Sequence, residues 1–144
     1  MIFARILVAI DSSEQSDSAL RLAARLAADQ GAQLTIATVV GWSAERYAPP
    51  DVIVDPTIDE HVSHDAEEFL RSSADTAKSL GANATVCLHQ GPVVEEILAC
   101  IEEHRADLLV LGTHARSGLS RVVEGSIAEA LLRASHTPVL VART

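Results

Sequence analysis

Runs of apolar residues alternate with longer amphipathic segments along the chain. The first run ends in Ile-Leu-Val-Ala-Ile, and such continuous apolar character is typical of a strand buried on both faces of a parallel sheet. The segments between these runs carry apolar residues at helical spacing, as at Val94, Ile97, Leu98 and Ile101. A regular alternation of strand and helix predicts an α/β fold, a parallel sheet covered by helices on both faces.

Capping and turn residues set the expected limits of these elements. Asp11, Ser12 and Ser13 supply cap chemistry for the first helix, and Gly31 ends it. Pro92 is expected at the first position of the third helix. The strands are expected at residues 2–10, 34–40, 84–89, 107–111 and 138–142, and the other helices at about 14–29, 58–80 and 126–134. These elements form a doubly wound, Rossmann-like, nucleotide-binding fold of five parallel strands and four helices.

Composition narrows the classes of protein that remain. The length of 144 residues fits one domain, residues 1–144, and the net charge of −9 argues against binding to nucleic acid or to an anionic membrane surface. The first apolar run is too short to span a bilayer or to direct export, so a cytoplasmic location is expected. In that compartment Cys87 and Cys100, which lie in apolar runs, are expected to be buried structural thiols without a disulfide.

The segment from Leu111 to Ser126 carries the most informative chemistry. It begins at the end of a predicted strand, ends at the start of a predicted helix and contains three glycines, which permit tight turns and close approach to a ligand. At its end, Gly125 and Ser126 place free backbone N–H groups at a helix N-terminus, where anions bind. Arg116 and Arg121 add positive charge, so the segment is predicted to hold phosphates.

Three longer stretches resemble the universal stress protein family. They are ILVAIDSSEQSDSAL at residues 6–20, HQGPVVEEIL at residues 89–98 and the run from DLLVLGTHARSGLSR to HTPVLVAR at residues 107–143. Together they follow the family's order over nearly the whole chain. The resemblance implies a single universal stress protein domain that binds ATP, or ADP or AMP, with Mg²⁺.

The resemblance also implies a role for individual residues. In nucleotide-binding members, a glycine is followed after two residues by a second glycine, and after nine more by Gly and Ser or Thr. Asp11 would lie near the ribose or a bound metal ion. Backbone groups of Ala9 and Val39 would line the adenine slot. The residues that would surround the phosphates are Gly112, His114, Ala115, Arg116, Gly125, Ser126 and Ile127.

Two positions depart from this pattern. Ala115 replaces the second glycine, which costs on the order of 1–2 kcal/mol if the position needs a left-handed backbone. Glu124 stands where an apolar residue is more usual and would repel phosphate unless it pairs with an arginine. Binding is therefore expected to be weakened rather than lost.

Local alternatives exist for several of these residues. Ser126 and Glu129 also form a capping box, Asp11 could be only a helix cap, and His114 could be an exposed loop residue. His61 and His64 share a helix spacing that suits a metal ion, but no third ligand accompanies them. No metal-ligating residue is therefore assigned, and no catalytic residue either.

Three functions compete. The first is a small ATP-binding stress or signalling protein that exchanges an unknown protein partner according to nucleotide occupancy. It would not be an enzyme, or at most a very slow ATPase, because the Walker sequence with its lysine is absent. The second is a family member that works as a dimeric interaction module without nucleotide. The third, a phospho-acceptor receiver, is disfavoured because the third strand ends in His89-Gln90 and the fifth in Arg143-Thr144, which leaves out the required Asp and Lys.

The C-terminal strand predicts assembly. Residues 138–142 are short, apolar and rich in β-branched side chains, and such a strand at a sheet edge pairs readily with another chain. Pro138 has no N–H to donate, so pairing would centre on residues 139–142. Two copies paired antiparallel would bury Val139 and Val141 across a two-fold axis. The resemblance also implies a homodimer through this strand.

Overall fold

The computed structural model describes residues 2–11, 13–40, 56–113 and 126–143. Five parallel strands form one sheet in the order β3-β2-β1-β4-β5. The strands are β1 (Arg5–Ala9), β2 (Gln33–Val40), β3 (Asn83–Gln90), β4 (Leu108–Thr113) and β5 (Val139–Arg143). The helices are α1 (Glu14–Gln30), α2 (Pro56–Ser79), α3 (Val93–His104) and α4 (Ser126–Ala134).

Helices cover both faces of this sheet. The buried residues of α1 and α2 pack on one face, together with Ile6, Val8 and Val110. Those of α3 and α4 pack on the other face, with Leu7 and Leu109. Alternate residues of β1 and β4 therefore belong to opposite cores, as expected for strands buried on both sides. Over the residues that the structure describes, the predicted doubly wound α/β fold with five strands and four helices is confirmed.

The ends of α1 follow from its capping residues. Ser13 is the N-cap, and its Oγ accepts a hydrogen bond of 3.2 Å from the backbone N–H of Ser16. Gly31 at the other end has a φ of 67°, which a residue without a Cβ adopts at no steric cost. The expected stop at Gly31 is confirmed.

The start of α3 differs from the expectation. Pro92 is the N-cap residue, with φ −62° and ψ 129°, and the helix begins at Val93. The carbonyl of Pro92 already accepts the first helical hydrogen bond, from Glu96 N–H at 2.9 Å. The prediction that Pro92 occupies the first helical position was wrong by one residue, because its ψ is extended.

The central strands also differ from their predicted limits. β1 begins at Arg5 rather than residue 2, because side chains take the N–H groups that precede the ladder. Gln30 Oε1 accepts from Ile2 and Phe3, and the Asp107 carboxylate accepts from Ala4 at 2.8 Å and from Arg5 at 3.0 Å. Asp107 therefore lies before β4 rather than within it.

The carboxyl ends of β4 and β5 extend further than predicted. β4 continues to Thr113 because Gly112 pairs with Ala142 and Thr113 with Arg143. β5 forms one edge of the sheet, as predicted from its sequence. Residues 41–55 lie outside the described residues, and Pro56 begins α2. Within the described part of the chain, none of the helices is both long enough and apolar enough to cross a bilayer.

Candidate ligand site at the carboxyl ends of β1 and β4

The strand order reverses between β1 and β4. From β1 the chain adds β2 and β3 on one side, and then returns to place β4 and β5 on the other. In open parallel sheets of this kind, a crevice forms beyond the carboxyl ends of the two strands at such a reversal. Residues that follow β1 and β4 are therefore brought to one place.

Asp11, the second residue after β1, organises the turn into α1. Its Oδ1 accepts hydrogen bonds of 2.8 Å from the Ser13 backbone N–H and from the Ser16 hydroxyl. The Ser16 Oγ accepts in turn from the Asp11 backbone N–H, also at 2.8 Å. Because the N-cap is Ser13, the alternative that Asp11 is itself the helix cap was wrong. Among the described residues these bonds fall on Oδ1, which leaves Oδ2 for a ligand hydroxyl or a cation.

Gly112, near the end of β4, is held against the first turn of α1. A Cβ built on Gly112 would lie 2.2 Å from the carbonyl oxygen of Gln15 and 3.1 Å from the backbone nitrogen of Ser16. Real Cβ atoms do not approach backbone atoms at the shorter of these distances. Packing of α1 on β4 thus requires glycine here, whatever the position contributes to a ligand. Ser16, which binds Asp11, connects the two predicted site residues.

The predicted adenine-slot residues lie at neighbouring strand ends. Ala9 ends β1 and Val39 is the second-last residue of β2; both are buried, with side chains in the core beneath α3 and α4. Ile127, in the first turn of α4, is half-buried against the same core. Since Ala9 pairs with Ala37, Asp11 continues to the level of Val39. Four of the predicted residues therefore lie close together at the carboxyl ends of the strands: Ala9, Asp11, Val39 and Gly112.

A cavity of about 180 Å³ adjoins Asp11 on the side of α1 and α2. Its polar wall includes Ser13, Ser16 and Asp17, and its apolar wall includes Leu20 and Phe69. Pockets that hold whole small-molecule ligands measure about 300–1,000 Å³. This cavity by itself is therefore smaller than a pocket for a whole small-molecule ligand.

Acidic side chains lie on the α1 side of the candidate site. The first turn of α1 carries Glu14 and Asp17, which disfavour an anion at that helix N-terminus. Asp17 also pairs with Arg21 at 3.0 Å, one turn further along the helix. Phosphate groups would therefore be placed away from α1, toward the segment that joins β4 to α4.

That joining segment holds the remaining predicted residues. His114, Ala115, Arg116 and Gly125 lie outside the described residues, as do the departure at Glu124 and the arginine at 121. Ser126 begins α4, as predicted. Of the ten residues predicted for the site, five are therefore located by their side chains or backbone contacts: Ala9, Asp11, Val39, Gly112 and Ile127.

Sequence reasoning missed Ser16 as a site residue. Its side chain is buried, it bonds to Asp11 and its backbone lies against Gly112. The signal was the spacing of Asp11, Ser13 and Ser16, since a residue three positions after an N-cap faces the cap. A second group of reactive side chains, around Cys87 on β3, was also not recognised from the sequence.

A model of the universal stress protein family matches residues 3–143. The chain belongs to the universal stress protein family. It is 30% identical over 150 residues to universal stress protein YxiE of Bacillus subtilis, and the match covers 99% of this chain and 100% of that protein.

Solved structures of other universal stress proteins have the same fold. A family member from Burkholderia pseudomallei superposes with a TM-score of 0.76 at 28% identity, covering 98% of this chain and 96% of that one. A universal stress protein in complex with cAMP superposes with a TM-score of 0.70 at 26% identity, covering 99% and 98%. The family and the fold implied by the sequence resemblance are both confirmed.

Proposed function

We propose that this universal stress protein binds an adenine nucleotide, with Mg-ATP as the first ligand to test, beyond the carboxyl ends of β1 and β4. The observation that carries the proposal is the reversal of strand order between these strands. Asp11 and Gly112 meet there, and the glycine- and arginine-containing segment to α4 departs from the same place. The complex of a related universal stress protein with cAMP supports the nucleotide class.

The proposed arrangement assigns a part of the ligand to each end of the crevice. Asp11 Oδ2 accepts from a ribose hydroxyl or binds Mg²⁺, while the backbone at Ala9 and Val39 contacts adenine. The phosphates lie toward Arg116, Gly125 and Ser126, because the segment before α4 carries arginines, whereas the first turn of α1 carries two acidic residues. Gly112 serves mainly to let α1 approach β4.

The proposed action is occupancy rather than turnover. Without a Walker lysine or a residue that activates water, the protein would at most hydrolyse ATP very slowly. Bound and free forms would present different surfaces to a protein partner in the cytoplasm during stress.

Calorimetric titration with Mg-ATP tests this proposal, with cAMP, ADP and AMP as comparison ligands. Binding also raises the unfolding temperature, since a ligand that binds only the folded state stabilises it. No heat and no thermal shift at millimolar concentrations of all four ligands would refute nucleotide binding.

Variants locate the nucleotide. Gly125→Val places a branched side chain where a phosphate approaches α4 and should abolish binding. Gly118→Val is the matched control, since Gly118 lies in the same segment but outside the family spacing. Ala115→Gly should tighten binding; an unchanged affinity would show that the methyl group at 115 does not matter.

A second candidate is a dimeric interaction module, and the exposed edge strand favours it. On β5, Leu140 is 36% exposed and Val139 and Val141 are half-buried, so apolar surface coincides with a strand that is at the sheet edge among the described residues. We propose an antiparallel homodimer through β5, which is compatible with nucleotide binding as well as with its absence.

Light scattering at micromolar concentration tests the dimer. Val141→Lys should give monomers with unchanged helical content, because it brings like charges together across the axis. Val86→Lys is the matched control: Val86 is a 46% exposed valine on β3, the opposite sheet edge. A dimer that survives Val141→Lys but not Val86→Lys would place the interface at β3.

A further inference from the structure

The packing of α3 on β3 brings two buried thiols together. Cys87 of β3 is 7% exposed, Cys100 of α3 is fully buried, and their sulfurs are 2.9 Å apart. His89 follows Cys87 by two residues on the strand, and His104 follows Cys100 by four on the helix. Residues at these spacings share one face of a strand and one face of a helix. A Cys-x-His sequence on β3 therefore lies against a Cys-x₃-His sequence on α3.

The possible ligand atoms of this group lie within reach of a single ion. Those of Cys87, His89 and Cys100 all lie within 4.8 Å of one another, as do those of Cys87, Glu103 and His104. Two thiolates and an imidazole are ligands that Zn²⁺ prefers, and Mg²⁺ and Ca²⁺ do not. We propose that Cys87, Cys100 and His89 form a binding site for Zn²⁺ or a similar thiophilic divalent cation, separate from the nucleotide site.

Carboxylates flank His89 on both of its ring nitrogens. Nε2 lies 3.0 Å from Glu103 Oε2, and Nδ1 lies 3.7 Å from Glu96 Oε1. A histidine that binds a metal through one nitrogen commonly donates the N–H of the other to a carboxylate, which fixes the ring orientation. Whichever nitrogen of His89 binds the ion, a carboxylate partner is already next to the other one. Because the shorter contact joins Nε2 to Glu103, Nδ1 is assigned as the nitrogen that binds the ion and Glu103 as a positioning residue of the site.

The site also has a route for entry. The sulfurs are buried, but the side chain of His89 is 20% exposed and that of Glu103 is 57% exposed, so both lie on the solvent side. Acidic residues surround this opening, since α3 carries Glu95 and Glu96 in its first turn and Glu102 beside Glu103. A cation is attracted to such an opening and reaches the thiols past His89.

Binding of the cation replaces the proton of each thiol by a metal–sulfur bond. Each S–H bond breaks as a Zn–S bond forms, so two protons leave for solvent and no electron is transferred. Zn–S bonds of about 2.3 Å in tetrahedral geometry place the sulfurs roughly 3.8 Å apart, so each side chain rotates slightly outward. The fourth coordination position is open to His104 or water.

The competing explanation is that two small thiols only fill space in the core beneath α3 and α4. That explanation accounts for burial, but it does not account for the histidine at the same face or for the carboxylates on both of its nitrogens. The two explanations predict different results when a thiophilic cation is added: the proposed site binds it through both sulfurs, and thiols that only fill space do not.

Spectroscopic titration with Co²⁺ separates them. The full chain is kept reduced with a phosphine, freed of metal with a chelator and titrated with Co²⁺. A thiolate site gives sulfur-to-cobalt charge-transfer absorption that saturates at one ion per chain. Added Zn²⁺ should displace the cobalt and protect both thiols from alkylation. Wild-type protein with no charge-transfer absorption, or with thiols alkylated equally fast with and without Zn²⁺, would overturn the proposal.

Substitutions test the assigned residues. The double variant Cys87→Ser/Cys100→Ser should lose the charge-transfer absorption completely. Because that variant could fail to fold, Glu103→Ala provides a test at an exposed position: removing a carboxylate that orients a metal-binding histidine weakens metal affinity about 10–100-fold. Glu102→Ala is the matched control, an exposed neighbour on the same helix with the same loss of charge. Equal weakening by both substitutions would contradict the site and indicate attraction by the acidic helix alone.

Discussion

The two faces of the sheet are covered by helices of different composition. On the face of α1 and α2 the buried helix residues are mostly alanine: Ala19, Ala23, Ala24, Ala27, Ala74 and Ala77. On the opposite face α3 and α4 contribute larger or softer side chains, namely Ile97, Cys100, Ile101 and Leu131. The same five strands thus support one core to which the helices contribute mainly alanine and another to which they contribute larger side chains.

This difference determines how each face tolerates change. Small side chains let α1 come so close to β4 that Gly112 lies against the carbonyl of Gln15, so the contact of α1 with β4 has no room for an added atom. On the other face, larger side chains fill the core, and its border with solvent has space for histidines and carboxylates. Added atoms should therefore lower the free energy of unfolding at the contact of α1 with β4. Removed atoms should lower it on the face of α3 and α4.

Removing a large side chain from the face of α3 and α4 should have the largest effect. Leu131 is fully buried in α4, and Leu131→Ala should lower the free energy of unfolding by about 3 kcal/mol, because it leaves a cavity. Leu132→Ala, next to it but 51% exposed, should cost less than about 1 kcal/mol. Urea unfolding followed by circular dichroism measures both. Similar losses for the two variants would show that α4 is not packed as described.

Adding one carbon to the other face should be the next largest effect. Gly112→Ala should cost about 2 kcal/mol or more, since the backbone at Gln15 must shift to admit the methyl group. Gly31→Ala is the control: its φ of +67° makes alanine unfavourable by about 1 kcal/mol, but nothing lies within 4 Å of the added carbon. A Gly112→Ala protein as stable as the Gly31→Ala protein would be inconsistent with such close packing.

The turn into α1 should respond more weakly. Asp11→Ala removes the acceptor for Ser13 and Ser16 and should cost about 1–2 kcal/mol. Asp17→Ala removes only an exposed pair with Arg21 and should cost less than about 0.5 kcal/mol. Thermal unfolding at fixed pH compares them. If the two losses are alike, the Asp11 network contributes no more to stability than a surface ion pair.

The smallest expected effect is a change of stability with pH, caused by His89 at the solvent-facing border of α3. Burial opposes a charged His89, but the charge of Cys87 and the hydrogen bond and charge of Glu103 outweigh it and raise the pKa of His89. Stabilisation by the protonated ring is therefore fully present below about pH 6.5, the ordinary histidine pKa, and is lost as pH rises through the higher folded-state value.

Titration of the His89 ring by NMR in the metal-free protein measures this shift. Glu103→Gln should move the pKa of His89 downward, toward its ordinary value, because the variant removes a neighbouring negative charge. A His89 pKa below the ordinary value in the unmodified protein would show that burial prevails instead.

Much of the fold was predictable because local patterns and packing agree. Gly31 ends α1 as predicted, and the apolar run of β1 is indeed buried on both faces. The limits of the strands were less predictable, since they depend on distant partners. Nothing local indicates that Asp107 would bind the N–H group of Ala4, which precedes β1, and that of Arg5, with which β1 begins.

The candidate site was predictable only in part. The strand ends at Asp11 and Gly112 follow from the alternation of elements, but the reason for glycine at 112 does not, because it lies in the approach of α1. The meeting of Cys87 and Cys100 depends on how α3 lies across β3. The spacings of Cys87 to His89 and Cys100 to His104 carried the signal, yet each is common in proteins without a metal.

The central position of β1 has a consequence for synthesis of the chain. β1 leaves the ribosome before β2 and pairs with it soon afterwards, but its other neighbour is far downstream: Asp107 is 103 residues after its partner Ala4. Until β4 emerges, the nascent half-sheet of three strands exposes the edge of its most apolar strand. Such an edge recruits other chains, so newly made protein is most prone to aggregate between the emergence of β3 and that of β4, and chaperones that bind apolar strands would act at that stage.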